Sequence, residues 1–361
     1  MSIFDEVEAI QDVEELERDL RRLEAAHRRD MKNNASLSRR VKDAEAEVER
    51  LQSAVKLYEG VLDARPEPPK WLAPKKPKAH SATVMLLLSD MHFDEVVRPE
   101  EMDFLNAYNR SIATKRLKRW SQNVVKLTRH YLSGVNYDGC VLMLGGDSFT
   151  GIIHEELKET NEDTLFGSLL YWLEQMAAAV DLLAEEFGKV HIESVPGNHG
   201  RLTRKPRAKV RARDNVDWLL AAMLAKQFEK DPRVTARVTD AADAYFKVYD
   251  HGHLLTHGDQ VRGGGGIGGI WPPIKRMAAR KAEHHMVINK PFKTLWLGHW
   301  HQLVQTPSLV INGSTKGYDE YAKLNNFGFE PPQQALALIT PEHNVTWQAP
   351  VFCLDRKDEK W

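Results

Sequence analysis

The segment LGHWHQ, residues 297–302, places two histidines two positions apart directly after the apolar run TLWLG. If the extended conformation continues past Gly298, His299 and His301 project to one side of the strand and Trp300 to the other. Two imidazoles held together can ligate a metal ion, but a pair of solvated loop histidines is an equally good interpretation of these residues alone. The rest of the chain decides between the two.

Four other apolar runs end in the same way. They stop at acidic, amide or imidazole residues: LLLSDMH at Asp90 and His92, LMLGGD at Asp147, SVPGNH at Asn198 and His199, and LLTHGD at His257. Any one of these endings is more typical of an ordinary turn. The carboxyl ends of strands in an open sheet lie at one edge, however, so residues that span 212 positions can converge on one site.

These residues offer carboxylates, an amide oxygen and imidazoles, a donor set that suits hard and borderline divalent ions. We expect two ions, with Mn²⁺ first and Fe²⁺, Zn²⁺ or Ni²⁺ as alternatives. Two ions that share one carboxylate stabilise both the attacking and the leaving oxygen in phosphoryl transfer. Cys140 and Cys353 are the only cysteines, which excludes a cysteine-rich zinc site and a disulfide framework and suits a reducing compartment.

Read in order, the motifs DMH at 90–92, GD at 146–147, GNH at 197–199, His257 and GHWH at 298–301 resemble those of the calcineurin-like metallophosphoesterases. The resemblance spans roughly residues 84–316 and implies a four-layer α/β/β/α sandwich. It also implies the ligands: Asp90, His92 and His301 for one ion, Asn198, His257 and His299 for the other, and Asp147 as the bridge. His199 would protonate the leaving oxygen or steady the phosphate.

Two positions depart from the family pattern. Gly200 stands where many relatives carry an acidic residue, and Thr150 stands where the protein-phosphatase branch carries an aspartate. The partner that orients His199 is therefore not visible in the sequence. The segment GIIHEEL, residues 151–157, either folds back over the metals or begins a helix.

The residues that follow His199 indicate the substrate. Seven basic side chains lie within the thirteen residues 201–213. One small phosphomonoester needs one or two such charges, whereas a nucleic-acid backbone uses most of them. We therefore predict substrate-binding roles for Arg201, Arg204 and Lys205, and for Arg262 in the glycine-rich segment after His257, which we interpret as a mobile lid.

The segments GIIHEEL, GNHGR, RGGGGIGG and GHWHQ also resemble bacteriophage-encoded metallophosphoesterases related to the SbcD-type repair nucleases. This resemblance implies a phosphodiesterase or nuclease that acts on DNA. The enzymatic alternative is a phosphatase or a phosphodiesterase of small cyclic or signalling nucleotides. A non-catalytic coiled-coil scaffold is the third hypothesis, and it predicts missing ligands, whereas all seven ligand positions are occupied.

Three regions precede or contain these motifs. Residues 1–64 carry apolar residues at alternating spacings of three and four, a heptad seam that predicts a coiled coil and hence a homo-oligomer, most simply a parallel dimer. A single helix packed on the domain and a hairpin bent at DMKNNAS are the alternatives. Residues 65–80 hold five prolines and four lysines and are typical of a semi-rigid linker, and residues 81–361 form the metallophosphoesterase domain.

Within this domain, short apolar runs alternate with helical periodicity near 113–133, 163–187 and 214–229, which predicts a two-sheet core flanked by helices. No apolar stretch approaches the roughly 20 residues of a membrane helix, and the acidic start does not resemble a signal peptide. We therefore expect a cytoplasmic protein with no membrane partner, located in the host cytoplasm if a phage encodes it. The net charge is −1, with the acidic excess in residues 1–64.

Overall fold

A computed structural model describes residues 20–24, 29, 31, 34, 36–46, 48–49, 69–72, 79–153, 155–261 and 269–361. The chain divides into two compact units, residues 1–56 and residues 57–361. The described residues of the first unit are all helical. Five large apolar side chains of the seam are each more than half exposed: Leu20, Leu23, Leu37, Val41 and Val48. Asn34 and Ala44 of the seam are exposed as well, and its other positions lie outside the described residues, so the coiled coil stays a prediction.

The second unit contains eleven strands among its described residues. They are β1 (Ser81–Leu88), β2 (Asn136–Leu144), β3 (Val190–Ser194), β4 (Val234–Val238), β5 (Asp243–Val248), β6 (His251–Thr256), β7 (Thr294–Leu297), β8 (Val304–Gln305), β9 (Leu309–Ile311), β10 (Gln333–Thr340) and β11 (Asn344–Phe352). Its helices are α1 (Arg110–Lys126), α2 (Glu155–Thr160), α3 (Leu165–Phe187), α4 (Val216–Gln227), α5 (Trp271–Val287), α6 (Glu320–Leu324) and α7 (Arg356–Glu359).

These strands form two mixed sheets. The first has the order β11-β10-β1-β2-β3-β4, in which β1 to β4 are parallel and β10 and β11 are antiparallel. The second has the order β5-β6-β7-β9-β8, with β6, β7 and β9 parallel. Strand β1 is buried along its whole length because it lies in the middle of its sheet with both faces covered.

The two sheets pack face to face through their apolar side chains. Met85 of β1 and Met143 of β2 share one buried cluster with Phe246 of β5 and Trp296 of β7. Helices α1, α3 and α4 contact the first sheet, and Ile274 of α5 packs on the outer face of the second. The layers therefore run helix, sheet, sheet, helix, the order that the motif resemblance implied.

The three predicted helices are confirmed as α1, α3 and α4, and a π-helical turn, Leu127–Tyr131, continues the first. Asn109 and Thr164 cap α1 and α3 by accepting backbone N–H groups. Helix α5 differs from the prediction, since the sequence indicated helical periodicity only near 113–133, 163–187 and 214–229. Residues 262–268 of the predicted lid lie outside the described part of the chain. Trp271, the first residue of α5, is 40% exposed.

The predicted linker contributes one turn to the folded unit. Lys70–Leu72 form a 3-10 turn, and Leu72 is buried in the cluster between the two sheets. The backbone carbonyl of Leu72 accepts a hydrogen bond from the N–H of Tyr249 at 2.6 Å. Among the described residues, the helices are either too short or too polar to cross a membrane.

Candidate metal centre

The eight predicted site residues come together at the carboxyl ends of five strands. Asp90 and His92 follow β1, Asp147 follows β2, Asn198 and His199 follow β3, His257 follows β6, and His299 and His301 follow β7. The parallel strands of both sheets end at this edge, so the loops that leave them meet. The structure thus brings together side chains that are far apart in the chain.

One group of side chains contains Asp90, His92 and His301. The Nε2 atoms of His92 and His301 lie 3.1 Å apart, and Nε2 of His301 lies 3.5 Å from Oδ1 of Asp90. Ser89 Oγ donates to Oδ2 of Asp90 at 2.5 Å. Asp90 and His92 are buried, whereas the side chain of His301 is 30% exposed, so this group opens towards solvent on the His301 side.

A second group contains Asp147, Asn198, His257 and His299. Nε2 of His257 lies 3.0 Å from Oδ2 of Asp147 and 3.1 Å from Oδ1 of Asn198. Potential ligand atoms of Asp147, His257 and His299 all lie within 4.8 Å of one another. The other ring nitrogen of His257, Nδ1, donates to the backbone carbonyl of Gly145 at 2.8 Å, which turns Nε2 towards the centre.

The two groups are joined by a third set of neighbours. Potential ligand atoms of His92, Asp147 and His199 also lie within 4.8 Å of one another. The backbone N–H of His199 donates to Oδ1 of Asp147 at 2.7 Å, and its ring nitrogen Nδ1 donates to the backbone carbonyl of Thr150 at 2.8 Å. The main chain at Thr150 is therefore the partner that orients His199, which residue types alone did not reveal.

The backbone at these residues is left-handed. Asp90, His92, Asp147, His299 and His301 have φ values between 48° and 70°. Non-glycine residues adopt this region at a cost and do so mainly at turns and functional sites. The expectation that the strand stays extended past Gly298 is wrong, since β7 ends at Leu297. Two left-handed residues, rather than the two-residue period of a strand, place His299 and His301 beside the carboxylates.

Two glycines permit this close approach. A Cβ atom at Gly298 would lie 2.3 Å from Oδ2 of Asp90. A Cβ atom at Gly146, whose φ is +89°, would lie 2.5 Å from the nitrogen of Gly197 and 2.9 Å from Nδ1 of His257. Any side chain at either position would displace a predicted ligand or the loop that carries one.

Burial and neighbouring charges shift the ionisation of the centre in opposite directions. Burial opposes ionisation of Asp147, but the charges of His257 and His199 hold its pKa well below the usual range. Burial disfavours charged His257, yet Asp147 next to it raises the pKa of His257 to about 10. Burial and the charge of His257 lower the pKa of His299 to about 4. The opposite charges of Asp147 and His257 therefore stabilise each other where solvent is excluded.

A buried ionic network contacts His92 on the side of its ring nitrogen Nδ1. The residues of this network were not predicted from the sequence. Nδ1 of His92 lies 3.6 Å from Oε2 of Glu95, and Oε1 of Glu95 accepts from Nζ of Lys316 at 3.0 Å. Lys316 also pairs with Asp319, and all four side chains are buried. Lys316 follows β9 in the run NGSTK, so a sixth polar strand ending was the signal available in the sequence.

The residues present fit divalent metal ions. Carboxylate, amide and imidazole donors converge within the described part of the chain, and the Nε2 atoms of His92 and His301 lie 3.1 Å apart. Such a donor set prefers Mn²⁺, Fe²⁺, Zn²⁺ or related ions. Asp90, His92 and His301 would hold one ion, and Asn198, His257 and His299 the other, with Asp147 between them.

The basic run 201–213 divides into anchored and exposed residues. Arg201 donates to the backbone carbonyls of Asn198, Thr203 and Arg204, at 2.7, 2.9 and 3.2 Å, and so builds its own loop. Arg211 pairs with Asp259 and Arg213 with Asp240. The exposed members, which take part in none of the ion pairs formed among the described residues, are Arg204, Lys205, Arg207 and Lys209.

Two further predicted features fall on or near undescribed residues. Arg262, predicted to bind substrate, lies outside the described residues, as does His154 of GIIHEEL. Residues Glu155–Thr160 form α2, so HEEL begins a helix.

No family model and no curated protein matches the chain. A protein of Streptococcus pneumoniae described as a predicted phosphoesterase is 12% identical with a TM-score of 0.27, over 74% of this chain and 98% of its own. Vacuolar protein sorting 29 of Cryptosporidium parvum is 12% identical with a TM-score of 0.29, over 74% and 97%.

The sulfate thiohydrolase SoxB of Thermus thermophilus is 10% identical with a TM-score of 0.28, over 77% of this chain and 58% of its own. TM-scores this low establish neither family nor activity for this chain.

Proposed function

We propose that this chain is a dinuclear metal-dependent phosphoesterase of the calcineurin-like type, and that it acts as a phosphodiesterase on DNA. The observation that supports this most directly is that the two predicted ligand groups are joined, since potential ligand atoms of His92 and Asp147 also lie within 4.8 Å of each other. A single-ion site needs one group, whereas these side chains provide two that meet at one carboxylate. Bound divalent ions supply a water molecule of lowered pKa and neutralise charge on phosphoryl oxygens.

His199 is placed to protonate the leaving oxygen. Because Nδ1 of His199 donates to the carbonyl of Thr150, proton transfer falls to Nε2. In its protonated form, His199 can deliver that proton to the departing oxygen, as a general acid. The backbone N–H of His199 donates to Oδ1 of Asp147, which holds the main chain of His199 next to the shared carboxylate. Covalent attachment to the enzyme is not required.

The exposed basic residues support a polyanionic substrate. Arg204, Lys205, Arg207 and Lys209 lie between two anchors, Arg201 bonded to the Asn198 carbonyl and Arg211 bonded to Asp259. Asp259 lies close enough to His257 for their charges to interact, so the loop is tied to the centre at both ends. Four cations on an anchored loop suit successive backbone phosphates better than one small phosphate.

The alternative is a phosphatase or a phosphodiesterase of small nucleotides, in which the basic loop is a solvated surface. One set of incubations separates the two. The purified full chain with Mn²⁺ is offered single-stranded DNA, duplex DNA, a bis-phosphodiester reporter, a phosphomonoester reporter and cyclic dinucleotides, with Asp147→Asn as the control. Cleavage of DNA that depends on both Mn²⁺ and Asp147 supports the proposal. Hydrolysis confined to the small substrates favours the alternative, and no hydrolysis at all favours the scaffold.

We further propose that residues 1–64 associate as a parallel dimer. In the predicted heptad, Val41 and Val48 occupy a positions and Leu37 a d position, the combination that favours two parallel strands. Arg40 at a g position and Glu45 at the following e position have opposite charges and would face each other across a parallel pair. Asn34 at an a position would fix the register.

A further inference from the structure

Asp217 lies in the first turn of α4, behind the candidate metal centre. Its side chain is buried, with 5% of the residue exposed. Oδ2 accepts hydrogen bonds from the backbone N–H groups of Asp147 and Gly197, both at 2.9 Å. Oδ1 accepts from the N–H of Ser148 at 2.9 Å. One buried carboxylate therefore holds three backbone amides.

These amides belong to two different loops. Asp147 and Ser148 follow β2, and Gly197 follows β3 directly before the predicted ligand Asn198. The two loops are in close contact, since a Cβ atom at Gly197 would lie 2.1 Å from Oδ1 of Asp147. By bonding to both, Asp217 fixes the position of the shared carboxylate relative to the amide ligand.

Asn215 completes this connection. Its Nδ2 donates to the carbonyl of Gly197 at 2.8 Å, and its Oδ1 accepts from the N–H of Asp217 at 2.8 Å. Gly200 leaves the space for both side chains, because a Cβ atom there would lie 2.3 Å from Oδ1 of Asn215 and 2.9 Å from Oδ2 of Asp217. The glycine after the GNH motif is therefore what allows a carboxylate to enter from α4.

The contact also has an energetic consequence. Asp147 has a φ of +52° and Gly146 a φ of +89°, a left-handed turn that needs support from its surroundings. Three charge-assisted hydrogen bonds provide that support. The second carboxylate also adds negative charge beneath the site, which favours cation binding.

We infer that Asp217 is a positioning residue for the metal centre: it sets the separation of Asp147 and Asn198 and so completes the site for the ion held by Asn198, His257 and His299. The inference rests on the proposed metal centre. Asp217 lies behind the ligands, and its effect reaches the ions through the backbone of the two loops.

The test is metal binding by the full-length chain after removal of metals with a chelator. Calorimetric titration with Mn²⁺ should give two ions per wild-type chain. Asp217→Asn keeps the size of the side chain but removes its charge. It also places the NH₂ group of the asparagine against a backbone N–H, so that two donors face each other. We expect about a 10- to 100-fold loss of affinity for the ion held by Asn198, His257 and His299, the range seen when a support of a metal ligand is removed. The other ion shares only Asp147 with this site and should lose less. The electron paramagnetic resonance spectrum should change from that of a coupled Mn²⁺ pair to that of an isolated ion.

Asp214→Asn is the matched control, because Asp214 is an exposed aspartate just before α4. Gly200→Ala is a second variant, which crowds Asn215 and the same carboxylate without removing either side chain and should weaken the binding of the same ion. A destabilised but folded variant that lacked only a structural contact would still bind two coupled ions. Unchanged binding in Asp217→Asn and Gly200→Ala, with two ions in the wild type, overturns this inference alone. A wild-type chain that binds no Mn²⁺ overturns the proposed function as well.

Discussion

The backbone carbonyl of Thr150 accepts a hydrogen bond from Nδ1 of His199 at 2.8 Å. A carbonyl oxygen can only accept, so this contact fixes the tautomer of neutral His199 and leaves Nε2 for proton transfer. An acidic side chain is not needed for this orientation. It follows that replacing the Thr150 side chain should matter less than replacing His199.

His199→Ala should slow substrates according to their leaving groups. When DNA is cleaved, the leaving group is a sugar alkoxide that needs a proton. We therefore expect the rate of DNA cleavage to fall by about 10² to 10⁴, the usual contribution of a general acid. The leaving group of a bis-nitrophenyl phosphodiester is a stable phenolate, so the rate of its cleavage should fall much less. The measurement is kcat for both substrates at equal Mn²⁺ occupancy. Equal losses on both would mean that His199 steadies the phosphate and does not deliver the proton.

Neutralising the exposed part of the basic loop should reduce the salt dependence of DNA binding. Each phosphate contact contributes about 0.7 to 0.9 to the slope of log K against log salt. Replacing Arg204, Lys205, Arg207 and Lys209 by alanine should lower the slope by about 3. The matched control replaces four exposed lysines elsewhere: Lys189, Lys230, Lys247 and Lys357. A similar loss of slope in the control would show that the loop is not the binding track.

Lys316→Met should destabilise the metal-free protein strongly. It leaves the buried carboxylates of Glu95 and Asp319 without their common partner. Removing one member of a buried ionic network costs about 3–5 kcal/mol of unfolding free energy. Urea unfolding in the presence of a chelator measures this. Lys323→Met is the control, because Lys323 pairs with Asp103 at the surface and should change stability by no more than about 1 kcal/mol.

The buried His253 predicts a loss of stability in acid. Burial, with the nearby charges of His251 and Lys293, lowers the pKa of His253 to about 3. Its Nδ1 accepts a hydrogen bond from Nε1 of Trp296 at 3.2 Å, which requires the neutral form. Below about pH 6.5 the unfolded chain binds a proton that the folded chain refuses until about pH 3, so stability falls by about 1.4 kcal/mol per pH unit in that window.

His253→Asn retains an acceptor but does not titrate, so the slope of unfolding free energy between about pH 6 and pH 4 should become shallower. Chemical unfolding at several pH values checks this. His343→Asn, at an exposed position, provides the comparison. If both variants keep the wild-type slope, His253 is not the group responsible.

Disrupting the heptad seam should convert the proposed dimer to a monomer. Val41→Asp puts a charge at an a position, where two chains would bury it. Light scattering after size-exclusion chromatography should give twice the mass of one chain for the wild type and the mass of one chain for the variant. Ala46→Asp adds the same charge on the opposite face of the helix and should remain dimeric. A monomeric wild type would contradict the dimer.

The residues that gather at the centre could be predicted from the sequence. Asp90, Asp147 and His257 each end an apolar run, and the carboxyl ends of parallel strands meet whatever the details of the loops. Strand and helix periodicity likewise predicted the two-sheet core and helices α1, α3 and α4. These are local patterns of residue type, which a sequence displays directly.

The contacts that hold these residues in place could not be predicted from the sequence. The carbonyl of Thr150 has no residue-type signature, because every residue carries one. Lys316 and Asp217 support the centre from 221 and 70 positions away, through bonds to Glu95 and to the backbone of Asp147. The left-handed turns at His299 and His301 depend on the space left by Gly298 next to Asp90. Such contacts form between segments that the fold brings together, and spacing along the chain does not encode them.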